Sequence, residues 1–280
     1  MIPLEEINAA AARFEVSAET IEKDYAICWA LNCIAASKLK DQIVFYGGTA
    51  IKRIHFEDHR FSEDIDLISE KDFKLADLAQ MLSDSFALAR KEANLNFEID
   101  TNKTISDDSR ARMYMRYSGY DEIVGAPKEI QLDLAHGREM VGETENHKVI
   151  ETYTDLKKKG RVLTVQTLNA ILAVKLGLLM EGARKEPRDV FDVWFLLNRL
   201  DQFDFSLGRL KDAFKQKYAF YPSLSVLCPH LHNRSYAERW EIRLKKQIAR
   251  LPEIKIVMKD IEAKLKELFD CKIQSLNRAK

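Results

Sequence analysis

Two neighbouring stretches decide the fold: Phe45-Tyr-Gly-Gly-Thr-Ala-Ile-Lys-Arg53 and Arg60-Phe-Ser-Glu-Asp-Ile-Asp-Leu67. Gln42–Tyr46 is a short β-rich run that stops at Gly47-Gly48. Thr49–Ile54 then reads as helix, with Thr49 placed to cap it. A strand that ends in two glycines at a helix start lets the backbone approach a phosphate closely. The helix N–H groups and the positive end of its dipole then favour the anion. In the second stretch Asp64–Ile68 alternates polar and apolar residues, the period of a strand, so the carboxylates of Asp64 and Asp66 project from one face. Paired carboxylates at that spacing suit Mg²⁺ (or Mn²⁺), which takes oxygen ligands and leaves room for phosphate oxygens. Asp133, in Gln-Leu-Asp-Leu on a later strand, is a candidate third ligand. Three carboxylates from two strands fit a two-metal site for in-line phosphoryl or nucleotidyl transfer. A glycine pair usually makes an ordinary turn, and Asp-x-Asp on a strand edge is usually solvated charge. Their order, strand then turn then strand, is what makes them specific.

Outward from these stretches, helices are expected near 4–14 and 18–37, the second capped by Ser17. A further helix is expected at about 72–93. Asn96–Asp100, Arg112–Tyr117 and Glu129–Leu134 all alternate with period two, as in a sheet with one face covered and the other partly wet. From about residue 165 onward no strand is expected, and helices are read at 167–183, 187–200, 204–219, 235–250 and 253–270. Lys157-Lys-Lys-Gly-Arg161 reads as a linker or an edge. The coarse architecture is an α+β domain over 1–160 followed by a helical bundle over 161–280.

The second half has its own candidates. Leu168, Ile171, Leu172, Leu178 and Leu179 form an apolar stripe at helical spacing, and Lys175 sits on that stripe. An ammonium facing inward is costly to desolvate unless it finds an anion, so Lys175 either closes a structural ion pair or is directed at a phosphate or carboxylate. Pro187 fits the first turn of a new helix. Asp192 lies inside the apolar run from Val190 to Leu197 and must be paired or face a polar cleft; Arg188, four residues earlier, can reach it along the helix.

The composition fits a folded globular chain: 280 residues, 46% hydrophobic, 31% charged. Lys and Arg number 44 against 44 Asp and Glu, which excludes a chain basic throughout. The two halves differ, however. Residues 1–140 have 17 bases against 26 acids, a net of −9, and residues 141–280 have 27 bases against 18 acids, a net of +9. That division suits metal binding by one half and polyanion binding by the other. No apolar run approaches the roughly 20 residues of a membrane helix, and the first residues do not form a signal peptide, so a cytoplasmic location without membrane attachment is expected. Cys28, Cys33, Cys228 and Cys271 lack metal or disulfide spacing and read as reduced thiols. The six histidines form no HExxH motif and no helical pair with a carboxylate, which speaks against zinc; His230-Leu-His232 follows Pro229 and reads as loop. The last helix has Ile254, Val257, Ile261, Leu265 and Leu268 on one side and lysines on the other. That is the pattern of core packing against solvent, with an RNA-contacting lysine face as the sharper reading.

The strand–Gly-Gly–Asp-x-Asp order resembles the nucleotidyltransferase superfamily pattern. Glu22-Lys-Asp-Tyr25, Gly47-Gly-Thr49 and Arg60–Leu67 resemble, more narrowly, the AbiEii/AbiGii toxin family, nucleotidyltransferase-like toxins of type IV toxin–antitoxin and abortive-infection systems. Lys175 matches the lysine of that family's third motif and Arg188-Asp-Val-Phe-Asp192 its Arg-Asp-x-x-Asp fourth motif, so the matching blocks run from residue 22 to residue 192. The resemblance implies a mixed sheet with flanking helices, and a helical domain that completes the active-site cleft. It implies an enzyme in which Asp64 and Asp66 bind metal with Asp133 assisting. Gly47, Gly48 and Thr49 would cradle the triphosphate of an NTP, and Lys175 would steady its charge. Asp189 or Asp192 would be the further catalytic carboxylate, supported by Arg188. It also implies transfer of nucleotides to the 3′ acceptor end of tRNA, blocking translation, and restraint by a cognate antitoxin. The alternatives are a nucleotidyltransferase acting on a protein or small molecule, and an inactive module that keeps the fold to bind RNA or a partner.

Overall fold

The computed structural model describes residues 1–69, 75–107, 110–121, 123, 128–136, 140–229, 231 and 233–276. His230 and His232 lie outside the described residues, as do residues 72–74 at the start of the helix expected at 72–93. The chain divides into two compact units. One comprises Met1–Met140, Thr144–Gln166 and Lys246–Ala249, the other Val141–Glu143, Thr167–Lys245 and Arg250–Lys280.

The first unit is α+β. Helices α1 (Leu4–Phe14) and α2 (Ala18–Ala36) lead into β1 (Ile43–Tyr46), the short helix α3 (Gly47–Ala50) with a π-helical extension at Ile51–His55, and β2 (Asp64–Ser69). After α4 (Leu75–Ala93) come β3 (Phe97–Ile99), β4 (Ile105–Ser106), β5 (Arg110–Tyr117), β6 (Glu129–His136), β7 (Thr144–Lys148) and β8 (Val162–Gln166). They form one mixed sheet in the order β3-β5-β6-β2-β1-β8-β7, with β4 added to β5. β1 is antiparallel to β2 and parallel to β8, and β2 is parallel to β6. As expected, Ser17 caps α2, its side chain accepting from the Thr20 amide at 3.2 Å. That helix is buried nearly all round: Tyr25, Ile27, Trp29, Leu31 and Ile34 are all covered, and it packs against α1 and α4. Full burial of each such side chain stabilises by roughly 1.5–3 kcal/mol. On β5 the apolar positions Ala111, Met113, Met115 and Tyr117 are buried while Arg110, Arg112 and Arg116 turn outward or half outward, the one-sided burial expected from the alternation.

Two expectations are corrected. Strands β7 and β8, which were not expected, extend the sheet, and Lys157–Arg161, read as a linker or an edge, lies in the connection between them. β7 reads Thr-Glu-Asn-His-Lys on a sheet edge with no residue fully buried, so it carries no apolar alternation to mark it. Thr49 does not cap a helix: α3 begins at Gly47 with Tyr46 as its N-cap, and the Thr49 hydroxyl instead donates to the backbone carbonyl of Asp64. The helix and β2 are thereby tied at the point where both carry candidate residues.

The second unit is helical: α5 (Leu168–Glu181), α6 (Pro187–Leu197), α7 (Leu207–Tyr218), the single turn α8 (Leu224–Leu227), α9 (Arg234–Leu244) and α10 (Ile254–Leu276). Thr167 caps α5 through the Ala170 amide and Pro187 opens α6, where its missing N–H costs nothing. α5 packs against α6 and α7, and α6 against α9 and α10. Val257, Ile261 and Leu265 are buried on α10, while Ile254 and Leu268 are half-buried. Among the described residues Cys28, Cys33 and Cys228 are free thiols. No helix among them is long and apolar enough to cross a membrane.

Candidate active site

In the α+β unit, strand register assembles the carboxylates. Tyr46 on β1 is the partner of Asp66 on β2, Asp66 of Asp133 on β6, and Asp133 of Arg112 on β5. Register partners share a face of a sheet, so these four residues form one row, with Asp64 two residues along β2 on the same side. Ile65, Leu67, Leu132 and Leu134 point the other way into the core, and Asp64, Asp66 and Asp133 are left half-buried.

Gly47 brings the helix start against that row. Its φ is +80°, and a Cβ built there would lie 2.2 Å from Asp66 Oδ2 and 2.9 Å from its Cγ. Only glycine admits both the left-handed backbone and the carboxylate. Tyr46 makes no side-chain capping bond to α3. The neighbouring polar groups set the carboxylates in place: the Ser62 hydroxyl donates to Asp64 Oδ1 at 2.9 Å. Asp133 accepts from Arg112 Nε at 2.7 Å and NH2 at 3.1 Å, and from Gln131 Nε2 at 2.9 Å. Arg112 and Gln131 are contributors that sequence reading missed; the alternation of β5 and β6 does place them outward, but pairing them with Asp133 needs the register.

Asp64 and Asp66 present hard oxygen donors on one strand face beside a positive-φ glycine, a donor set that fits Mg²⁺ or Mn²⁺. Asp133 fits less directly, because both its oxygens already accept from Arg112 or Gln131. It joins a cation most readily if the Arg112 side chain, about half exposed at 48%, turns away.

Further charged and polar residues of these stretches and of Glu22–Tyr25 hold the unit together. Glu22 Oε1 accepts from the Tyr120 amide at 2.6 Å and from Lys128 Nζ at 2.8 Å. Buried Asp24 pairs with buried Arg53 at 3.1 Å and accepts from the Tyr153 hydroxyl at 2.6 Å. Tyr25 donates to Asp155 Oδ2 at 2.7 Å. Lys52 donates to the carbonyls of Glu57 and His59 at 2.8 and 2.9 Å, with its ammonium 3.9 Å from the Phe61 ring centre. Burial lowers the Lys52 pKa to about 8. Arg60 donates to the Phe61 carbonyl and to Gln247 Oε1, both at 3.2 Å.

In the helical unit Lys175 reaches two carboxylates from α6, Asp189 Oδ1 at 2.6 Å and Asp192 Oδ2 at 2.9 Å. All three are buried and Asp192 is wholly so. The inward ammonium thus closes an ion-pair triad between α5 and α6, which explains how both an Asp and a Lys survive in apolar surroundings. Arg188 lies with its Nε 3.4 Å from Glu186 Oε1. Glu186 also receives Arg239 and Arg243, at 3.3 and 3.1 Å. Burial would raise its pKa, but these three guanidiniums outweigh burial and lower it. With Arg184 3.9 Å from Asp189 Oδ2, the α5–α6 connection carries more positive than negative charge. Glu186, Arg239 and Arg243 were not singled out in the sequence, because their pairing joins α6 to α9 across more than fifty residues.

The family model described as nucleotidyl transferase AbiEii toxin, type IV TA system, matches residues 29–267. Among solved structures the fold is similar to that of MenT4, a nucleotidyltransferase toxin from Mycobacterium tuberculosis, with a TM-score of 0.51 at 15% identity, covering 96% of this chain and 100% of that one. Among curated proteins none matches the chain.

Proposed function

Since the chain belongs to the AbiEii family, nucleotidyltransferase toxins of type IV toxin–antitoxin systems, we propose that it is a Mg²⁺- or Mn²⁺-dependent enzyme that transfers nucleotides from an NTP to the 3′ acceptor end of tRNA and so blocks translation. The observation that carries this reading is the close approach of Asp66 to Gly47, which brings a carboxylate of β2 against the start of α3. Asp64 and Asp66 hold the cation, and Asp133 joins them when Arg112 releases it. A divalent cation bound there offsets the charge of the triphosphate. Gly47, Gly48 and Thr49 hold that triphosphate through backbone amides at the start of α3, where the helix dipole favours anions. The acceptor hydroxyl attacks the α-phosphorus in line, the bond from that phosphorus to the bridging oxygen breaks, and pyrophosphate leaves.

For the helical unit we assign Lys175 to nucleotide phosphate, with Asp189 and Asp192 setting the position of its ammonium. The Asp189–Asp192 pair orients the acceptor, and Arg188 supports it. The cluster of Arg188, Arg239 and Arg243 at Glu186 supports a polyanionic partner. A cognate antitoxin restrains the activity, as the family's place in a two-component system requires.

The test is incubation of the full chain with each labelled NTP, total tRNA and cell lysate, beside a folded Asp64→Ala/Asp66→Ala variant. Label on tRNA that the variant loses is the expected result. Label on a protein or small molecule would replace the acceptor, and undiminished transfer by the variant would remove the carboxylates from the mechanism.

A further inference from the structure

Away from the carboxylate row, three residues of the α+β unit converge that are far apart in sequence. His55 ends the π-helical turn after α3, and Glu145 and His147 lie two residues apart on β7, hence on one face of that strand. One ligand atom from each lies within 4.8 Å of the other two. The two imidazole rings are 5.1 Å apart between centres, and Glu145 Oε1 is 3.2 Å from His147 Nε2. His55 Nε2 is buried and has no hydrogen-bond partner among the described residues. A buried imidazole nitrogen left unpaired is unusual, because its desolvation goes uncompensated.

We propose that His55, Glu145 and His147 bind a divalent transition-metal ion of the Zn²⁺ type. Two imidazoles and one carboxylate with an open fourth position form a known donor set for zinc. Imidazole nitrogen selects such ions over Mg²⁺, whereas the all-oxygen set of Asp64 and Asp66 selects the reverse. Tetrahedral zinc with ligands at about 2.0–2.1 Å needs donor atoms roughly 3.3 Å apart, so the donors must close in by roughly 1.5 Å from the present limit. Glu145 and His147 have side chains 41% and 40% exposed, and rotation about their side-chain bonds supplies that movement without disturbing the core.

The frame around the three residues is held already. The Ile150 amide donates to the Arg53 carbonyl at 2.7 Å, joining the end of β7 to the turn that carries His55. β7 pairs with β8 through His147 and Leu163, and β8 with β1, which runs directly into α3. A bound ion therefore pins the end of the α3 turn to the edge strand of the sheet. The separation of about ninety residues between the two histidines is why no zinc pattern is visible in the sequence.

The experiment is calorimetric titration of the metal-stripped full chain with Zn²⁺, with its thermal-unfolding midpoint followed in parallel. The variants are His147→Ala, Glu145→Gln, His55→Ala and Asp64→Ala/Asp66→Ala. His147 and Glu145 are exposed enough that their variants keep the fold, which circular dichroism checks. Binding that raises the midpoint, that weakens by at least about tenfold in His147→Ala and that persists in the Asp64→Ala/Asp66→Ala variant is expected. Absence of Zn²⁺ binding, equal affinity in His147→Ala, or binding lost with the aspartates would overturn the assignment.

Discussion

Replacing Gly47 by alanine should damage the carboxylate row as well as the backbone that carries it. Two costs can be separated. With φ at +80°, an L side chain pays roughly 1–2 kcal/mol for the left-handed backbone. The second cost is contact. The new methyl would stand 2.2 Å from Asp66 Oδ2, and ordinary van der Waals contact begins at 3.4 Å, so either Asp66 or the start of α3 must move by about 1.2 Å. A displacement near 1 Å of a group that positions substrate can lower the rate about a hundredfold. Gly160→Ala is the control, since Gly160 has a similar φ of +59° with nothing within 4 Å of a new Cβ. It should show the backbone cost alone. Chemical denaturation and labelled-nucleotide transfer of both variants supply the measurement. The expected result is a loss of stability in both, larger in Gly47→Ala, with activity falling only in Gly47→Ala. If Gly47→Ala keeps activity within about twofold of the unchanged chain, the proposed coupling of Asp66 to the glycine turn is wrong.

Two further outcomes follow from buried charge. Lys175→Met should destabilise the helical unit by roughly 3–5 kcal/mol, because it leaves Asp189 and Asp192 buried without their cation. Adding Asp192→Asn should restore part of the loss, and additive effects in denaturation would dismiss the triad as an energetic unit. Lys52, whose pKa burial lowers to about 8, gives a pH test. Its ordinary value is near 10.4, so between about pH 8 and 10.4 the unfolded chain binds more protons there than the folded one. Stability from this group therefore rises with pH across that window, by roughly 1.5 kcal/mol from pH 8 to pH 9.5. Buried Cys28 and Cys33, whose thiols are pushed up to about 12, remove stability over the same window, so denaturation at those two pH values is read as the difference between chains. From pH 8 to pH 9.5 the unchanged chain should gain on Lys52→Met by that increment, and an equal change in both would refute the assignment.

The elements read correctly from the sequence are those whose own periodicity carries the information. α2 announces itself through a capping serine and a long apolar run, and β5 and β6 through alternation. Asp64 and Asp66 were placed on one face by strand geometry alone. β7 was missed because all five of its residues are polar and its existence depends on pairing with β8. The role of Thr49 was misread because its partner, the Asp64 carbonyl, is fifteen residues away. The contacts of Arg188 with Glu186 and of Lys175, from another helix, with Asp192 depend on helix packing.

The sequence by itself determined the family, the strand–Gly-Gly–strand order and the facing of the two aspartates, because each depends on residues a few positions apart and on the fixed periods of helix and strand. Tertiary structure alone decided that Asp66 touches Gly47, that Arg112 holds Asp133, that Lys175 serves two carboxylates, and that His55 meets His147. Those are pairings between segments whose approach is set by sheet register and helix packing, and no local pattern encodes them.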